Sequence, residues 1–266
     1  MKWTVVIPVK GVPAAKSRLS PAVPDDARAV LARAFALDTI AAALGARSVG
    51  RVIVVGADAS LAGGAEFLLE PEGDARGLLP AIRHGIAHAR ALRVEEGAER
   101  PSRALRVEQG AERPSRTLRV EEGAERPSRN PGGRGSRDAA AQLLGPQGQD
   151  AAVAVLLGDL PALRPEDLDA ALRAASRHPL AFVRDADGTG TTLATARGGE
   201  PFEPRFGPDS AAQHAAAGFV ELEASATPGL TRDVDTVDAL EAVLHHGVGD
   251  HTAEAIAHLA DLKGTS

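Results

Sequence analysis

Short runs rich in β-branched residues alternate along this chain with Ala-rich stretches of helical character, and that alternation restricts the fold more than any other feature. The runs at 4–9 (TVVIPV), 51–56, 65–69, 152–157 (AVAVLL), 180–183, 191–196 and 219–222 read as strands. Between them, 25–44 reads as a helix closed by Gly45, followed by helices at 76–90, from Pro165, at 238–246 and at 252–262. Such an order builds an α/β fold, a sheet with helices on its faces. Ligands of these sheets sit beyond the carboxyl ends of the strands, so the loops after Val9, after Leu157 and around Asp233 should converge.

One segment does not fit the alternation. A 13-residue unit occurs three times without a gap, at 91–103 (ALRVEEGAERPSR), 104–116 (ALRVEQGAERPSR) and 117–129 (TLRVEEGAERPSR). Each copy offers one Leu and one Val before Gly and Pro intervene, too little apolar surface to offset the entropy of ordering it. With the Gly/Arg run to position 137, residues 91–137 are expected to form a solvated insertion, disordered or loosely helical; the other reading is an arm that binds a partner. The 266 residues are therefore expected to form a single domain, 1–266, with an interruption.

The repeats hold nine Arg and eight Glu, so the rest of the chain carries −7 of the net −6. That acidic body argues against bulk nucleic-acid binding, which needs a basic face. No cysteine is present, which removes disulfides, thiolate metal sites and cysteine nucleophiles, and fits a cytoplasmic protein. The first nine residues include an early proline and fall far short of a signal or membrane segment.

Four loops could carry chemistry. Residues 8–20 (PVKGVPAAKSRLS) place Lys10, Lys16 and Arg18 directly after the first strand, where a triphosphate could lie. The plain alternative is a solvated basic loop. Yet only four of the thirty basic residues are Lys, and two of the four fall here, where a compact ammonium suits a phosphate. In GDLPAL (158–163), Asp159 follows a buried strand and precedes the helix at Pro165 by too much to cap it, which leaves it able to hold a divalent cation. In TRDVDT (231–236), Asp233 and Asp235 share a face of an extended backbone and repel unless a cation lies between them. Alternatively, Asp235 or Thr236 caps the next helix.

The fourth run, 185–214, contains DADGTGTT and FGPDSAAQH. Gly188 and Gly190 permit tight turns, and Thr189, Thr191 and Thr192 add hydroxyls. Ser210 and Gln213 have capping-box spacing, so Ser210 is expected to open a helix at Ala211 whose free N–H groups suit an anion. His214 reads as a surface or packing residue rather than a base.

Taken in order, PVKxxxxAKSRL, GDLPAL, DGTGTT, FGPDS and RDVDT resemble the 2-phospholactate/phosphoenolpyruvate guanylyltransferases of deazaflavin coenzyme F-420 biosynthesis. The resemblance covers 1–90 and 150–246. It implies a Rossmann-like nucleotidyltransferase fold, a three-layer sandwich on a mostly parallel mixed sheet. It also implies a reaction that joins phosphoenolpyruvate or 2-phospho-L-lactate to GTP with loss of pyrophosphate. Carried over by motif, the Mg2+ ligands fall on Asp159, Asp233 and Asp235. Contacts to the phospho-acid fall on Thr192, Gly207 and Ser210, and Lys10, Lys16 and Arg18 face the triphosphate. No catalytic side chain is implied beyond this metal-held chemistry, and the labile product implies a downstream transferase as partner. Two features depart from the family pattern: the tandem repeat, and GLLPAI (77–82) on the guanine side, which has no Asn near Leu79.

Overall fold

The computed structural model describes residues 1–9, 19, 23–73, 77–98, 152–222 and 227–264. Its centre is a sheet of seven strands: β1 (Trp3–Pro8), β2 (Val49–Gly56), β3 (Glu66–Leu69), β4 (Ala152–Leu156), β5 (Leu180–Arg184), β6 (Thr191–Ala196) and β7 (Val220–Glu221). Their order is β3-β2-β1-β4-β6-β5-β7, and only β6 runs against the rest. β1 and β4 carry continuous Val/Ile/Leu-rich runs and are buried along their whole length, as central strands covered on both faces must be.

Helices cover both faces. α1 (Asp25–Gly45) and α3 (Pro165–Ala175) pack on one side, where Ile40, Ala43, Leu168 and Leu172 meet Val5, Ile7 and Leu156. α2 (Leu78–Ala98) and α4 (Ser210–Ala216) take the other, where Ile82, Ile86 and Ala211 meet Val6, Val155 and Phe182. A further cluster joins Leu31 and Phe35 of α1 to Val243 of α6 (Val237–His246) and Ala255 of α7 (Asp250–Gly264). The result is a three-layer sandwich. Full burial of each such aliphatic side chain contributes about 1.5–3 kcal/mol against chain entropy.

Strand direction positions the site. β1 leads to β2 and β3 on one side, while β4 returns to the other side of β1, so the order reverses between β1 and β4. That crevice is where doubly wound sheets bind ligands. Because β6 is antiparallel, the β5–β6 turn opens at the same edge as the ends of β1 and β4. β1 and β4 lie on either side of residues 99–151 in the sequence and pair directly.

Several expected boundaries move. Gly45 is the last helical residue of α1 rather than a left-handed cap; a Cβ there would stand 3.0 Å from Cγ of Pro165, so close approach of α3 accounts for it. α2 continues to Ala98, eight residues into the first repeat, and Leu92 packs on the core. Residues 91–98 are thus helical, and 99–137 lie outside the described residues. The last strand shrinks to two residues, and the short helix α5 (Pro228–Thr231) has no counterpart in the sequence reading. Among the described residues, no helix is long and apolar enough to cross a membrane.

Candidate active site

A cavity of about 550 Å³ opens at the β1/β4 reversal. Asp159, Asp233 and Asp235 meet in it, each partly buried, with one carboxylate oxygen from each lying within 4.8 Å of the others. Backbone pairing brings them together. The N–H of Val234 donates to the carbonyl of Asp159 at 3.1 Å, and Val234 itself is fully buried. Its neighbours Asp233 and Asp235 then share the opposite, cavity-facing side, as an extended chain requires.

Neither helix cap competes for these carboxylates. Thr236 caps α6, its Oγ1 accepting from the N–H of Ala239 at 3.1 Å, which leaves Asp235 out of the cap. α3 begins at Pro165 behind Arg164, well past Asp159. The loop between is held from below, where the N–H of Leu160 donates to Thr39 Oγ1 of α1 at 3.0 Å. Three carboxylates this close repel one another, and a hard divalent cation with a preference for oxygen suits the set.

The cavity wall beyond β4 is built from two turns. In the β5–β6 turn the carboxylate of Asp185 accepts from the N–H groups of Thr189 and Gly190 at 2.9 and 2.8 Å. A Cβ at Gly190 would fall 2.2 Å from Asp185 Oδ2, so any side chain there would displace the carboxylate from the turn. The N–H of Ala186 donates to the carbonyl of Thr231, tying this turn to the segment that carries Asp233. The second turn, Phe206 to Ser210, includes Gly207 at φ +137° and Asp209 at φ +53°, the one described non-glycine residue at positive φ. Backbone strain of this kind concentrates where a site is held in shape.

Of the residues carried over from the resemblance, Gly207 and Ser210 line the cavity. Thr192 is fully buried and is not a lining residue; Thr191 takes that place. The cause is an irregularity in the ladder: β5 pairs Val183 with Leu193 but Arg184 with Thr191, so Thr192 is passed over. Its carbonyl accepts from the N–H of Leu157 at 2.9 Å, which fixes the strand end just before Asp159. Ser210 is the first residue of α4, not its cap. Asp209 stands in the cap position without a side-chain bond, and Gln213 Nε2 donates to the carbonyl of Pro208, so the expected capping box does not form. Lys10, Lys16 and Arg18 lie outside the described residues; Val9, just before them, lines the cavity.

The sequence reading missed several wall residues. Asp185 and Asp209 bring the aspartates in the described lining to five, with no described Lys or Arg among them. The signal for Asp185 was its spacing to Thr189 and Gly190, which suits a carboxylate bonding forward to backbone N–H groups. Ala32 and Ala36 of α1, Pro8, and Leu78 at the start of α2 form an apolar wall. Two small residues four apart on one helix face were the available sign. Leu79, in the 77–82 stretch, packs against the core.

His214 is fully buried, as a packing residue. Phe182 stacks on it at 5.7 Å, and Phe206 and Phe219 approach edge-on at 5.3 and 4.9 Å between ring centroids. Burial pushes its pKa down to about 4, against the pull of the Ser210 carbonyl, and the charge of Arg205 acts in the same direction as burial.

Strand order, an acidic cluster at the reversal and helices on both faces define an α/β sandwich of the nucleotide-diphospho-sugar transferase type. A crystal structure from Desulfovibrio desulfuricans G20 that carries that family's name has a TM-score of 0.52 to this fold at 16% identity, covering 91% of this chain and 87% of its own. No protein-family model matches the sequence. Curated relatives do. Proteins named phosphoenolpyruvate guanylyltransferase are 38% identical in Streptomyces scabiei and 37% identical in Streptomyces coelicolor, each comparison covering 97% of this chain and 98% of the relative. One from Sanguibacter keddieii is 41% identical over 99% of this chain and 88% of its own length. The chain belongs to the phosphoenolpyruvate guanylyltransferase family, a family of nucleotidyltransferases.

Proposed function

We propose that this protein joins phosphoenolpyruvate to GTP, forming enolpyruvoyl-2-diphospho-5'-guanosine and releasing pyrophosphate. The observation that carries the reading is the convergence of Asp159, Asp233 and Asp235 in one cavity with the Gly207–Ser210 turn, in a chain of this family. A phosphate monoester has its second pKa near 6, so at neutral pH the acid's phosphate oxygen is largely ionised and needs no base. That oxygen attacks the α-phosphorus, a new P–O bond forms, and the bond to the bridging oxygen of the β-phosphate breaks.

The barrier is the meeting of two anions. Asp159, Asp233 and Asp235 would hold Mg2+, which supplies charge neutralisation at the reacting phosphates when bound. Lys10, Lys16 and Arg18 would face the triphosphate and its leaving pyrophosphate. The turns around Thr189–Thr192 and Gly207–Ser210 would hold the acid. The apolar wall of Pro8, Ala32, Ala36 and Leu78 would take the nucleoside, leaving positioning and charge stabilisation to provide most of the acceleration. The reading takes the protein to be a cytoplasmic, single-domain enzyme whose labile product passes to a transferase of coenzyme F-420 biosynthesis.

Pyrophosphate release tests it, measured with GTP, Mg2+ and, in turn, phosphoenolpyruvate, 2-phospho-L-lactate and a sugar 1-phosphate, with the product-consuming transferase present. Release should be fastest with phosphoenolpyruvate and should fall to background without an acid. Preference for the sugar phosphate would overturn the reading.

A further inference from the structure

His214 is a buried titratable side chain with no part in the reaction proposed for the site. His214 touches three separate parts of the acid-side wall. Its Nε2 accepts from the backbone N–H of Arg205 at 3.1 Å, immediately before the lining residues Phe206 and Gly207. Its Nδ1 stands 2.9 Å from the carbonyl oxygen of Ser210 and 3.0 Å from Oγ1 of Thr191. All three partner groups are fixed by backbone, by burial, or by both.

The protonation pattern follows from these partners. A backbone N–H can only donate, so Nε2 must present a lone pair, and the ring is neutral with its single proton on Nδ1. The depressed pKa, about 4, agrees with a neutral ring at physiological pH. The Nδ1 proton then faces two oxygens. The Ser210 carbonyl can only accept, and Thr191 Oγ1 also accepts from this side, which leaves the hydroxyl proton of Thr191 uncommitted toward the imidazole. No other hydrogen bond joins Thr191 Oγ1 to a described residue, although the residue is only 2% exposed and lines the cavity. A buried hydroxyl whose proton has no protein acceptor is a donor waiting for a ligand oxygen.

Building on the guanylyltransferase reading, we propose that Thr191 donates this proton to an oxygen of the acceptor acid, and that His214 is the positioning residue that orients it. The acid in question is a small anion bearing phosphate and carboxylate, whose oxygens are strong acceptors. His214 orients the donor in two ways. It removes the Thr191 hydroxyl's freedom to point its proton back at the helix, and it holds the Thr191, Ser210 and Arg205–Gly207 segments in register around the acid. Among the described residues, the hydrogen bonds of His214 reach Thr191, Arg205 and Ser210 and none of Pro8, Ala32, Ala36 or Leu78, so the effect should be confined to one substrate.

The test is steady-state kinetics on the full chain, with KM resolved for each substrate. Thr191→Val keeps the shape and removes the hydroxyl; it should raise KM for phosphoenolpyruvate about tenfold or more, leave KM for GTP within about twofold, and be rescued by Thr191→Ser. His214→Ala should raise the same KM, and His214→Asn should recover part of it, because the Asn amide nitrogen can occupy the Nδ1 position. Thr191→Val supplies the decision if the His214 variants do not fold. An unchanged KM for the acid in Thr191→Val, or equal rises for acid and GTP, would overturn the assignment while wild-type turnover leaves the enzymatic reading standing. Absence of acid-dependent turnover in the wild type would instead remove the reading itself, and the assignment with it.

Discussion

The two walls of the cavity are made in different ways. On the side of β1, α1 and the start of α2, the lining is Pro8, Val9, Ala32, Ala36 and Leu78, side chains that offer surface and no direction. On the side of β5, β6 and α4, the lining is a pair of turns: in the first the N–H groups of Thr189 and Gly190 are spent on Asp185, and the Thr191 hydroxyl and the Ser210 carbonyl are tied through His214. Apolar walls tolerate a large, flat partner; directional walls select a small one by where its oxygens fall. The aspartate cluster stands between the two, at the point where the reacting groups of both substrates would meet.

The largest expected effect comes from removing what the two walls share. Asp159→Asn or Asp235→Asn should lower kcat by on the order of 10³-fold, since charge stabilisation of transferring phosphates accounts for several kcal/mol. Circular dichroism and thermal melting should stay near wild type, because neither carboxylate caps a helix. Near-wild-type turnover in either variant would remove the cluster from the chemistry.

Next in size is a change confined to one wall. Ala32 is only partly buried, so Ala32→Leu should fold, protrude into the apolar side and raise KM for GTP about tenfold, on the order expected for one misplaced apolar side chain. KM for the acid should move by less than about twofold. Equal changes in both constants would erase the distinction between the walls.

How far the sequence revealed this arrangement differs between the walls as well. The strands of the central sheet were legible because β1 and β4 are continuous β-branched runs, and the aspartate cluster was legible because Asp159 follows a buried strand and Asp233 and Asp235 stand two apart in an extended segment. The exchange of Thr192 for Thr191 at the wall was not legible. It depends on an irregularity in the β5–β6 ladder, and a one-residue offset in pairing depends on two strands at once. Likewise, Ser210 and Gln213 have the spacing of a capping box, but the positive φ of Asp209 turns the chain so that Gln213 reaches Pro208 instead. His214 carried no sequence signal of its own, since its three aromatic neighbours come from β5, from the loop before α4 and from the segment after α4.

A smaller effect concerns the directional wall alone. Because His214 is held neutral, its folded pKa of about 4 lies below the ordinary 6.5, so the unfolded chain binds a proton more readily. The stability this contributes is complete above pH 6.5 and is lost progressively as pH falls toward 4. Denaturant unfolding at a series of pH values should show the loss in wild type and a flatter profile in His214→Asn. Parallel profiles would place the pH sensitivity elsewhere.

The smallest effect is expected outside both walls. Removing residues 104–129, two whole repeats, leaves α2 and the sheet pairing of β1 with β4 untouched, and kcat and both KM values should stay within about twofold of wild type. A larger loss would give the repeat a part in catalysis.

The central claim is that the acid's phosphate oxygen attacks the α-phosphorus of GTP at the aspartate cluster. GTP labelled at the α-phosphorus tests it directly. With phosphoenolpyruvate and Mg2+, the label should appear in a product that also contains the acid, while the β- and γ-phosphates leave together as pyrophosphate. Label recovered as GMP or GDP, or transfer that proceeds equally without the acid, would contradict the account.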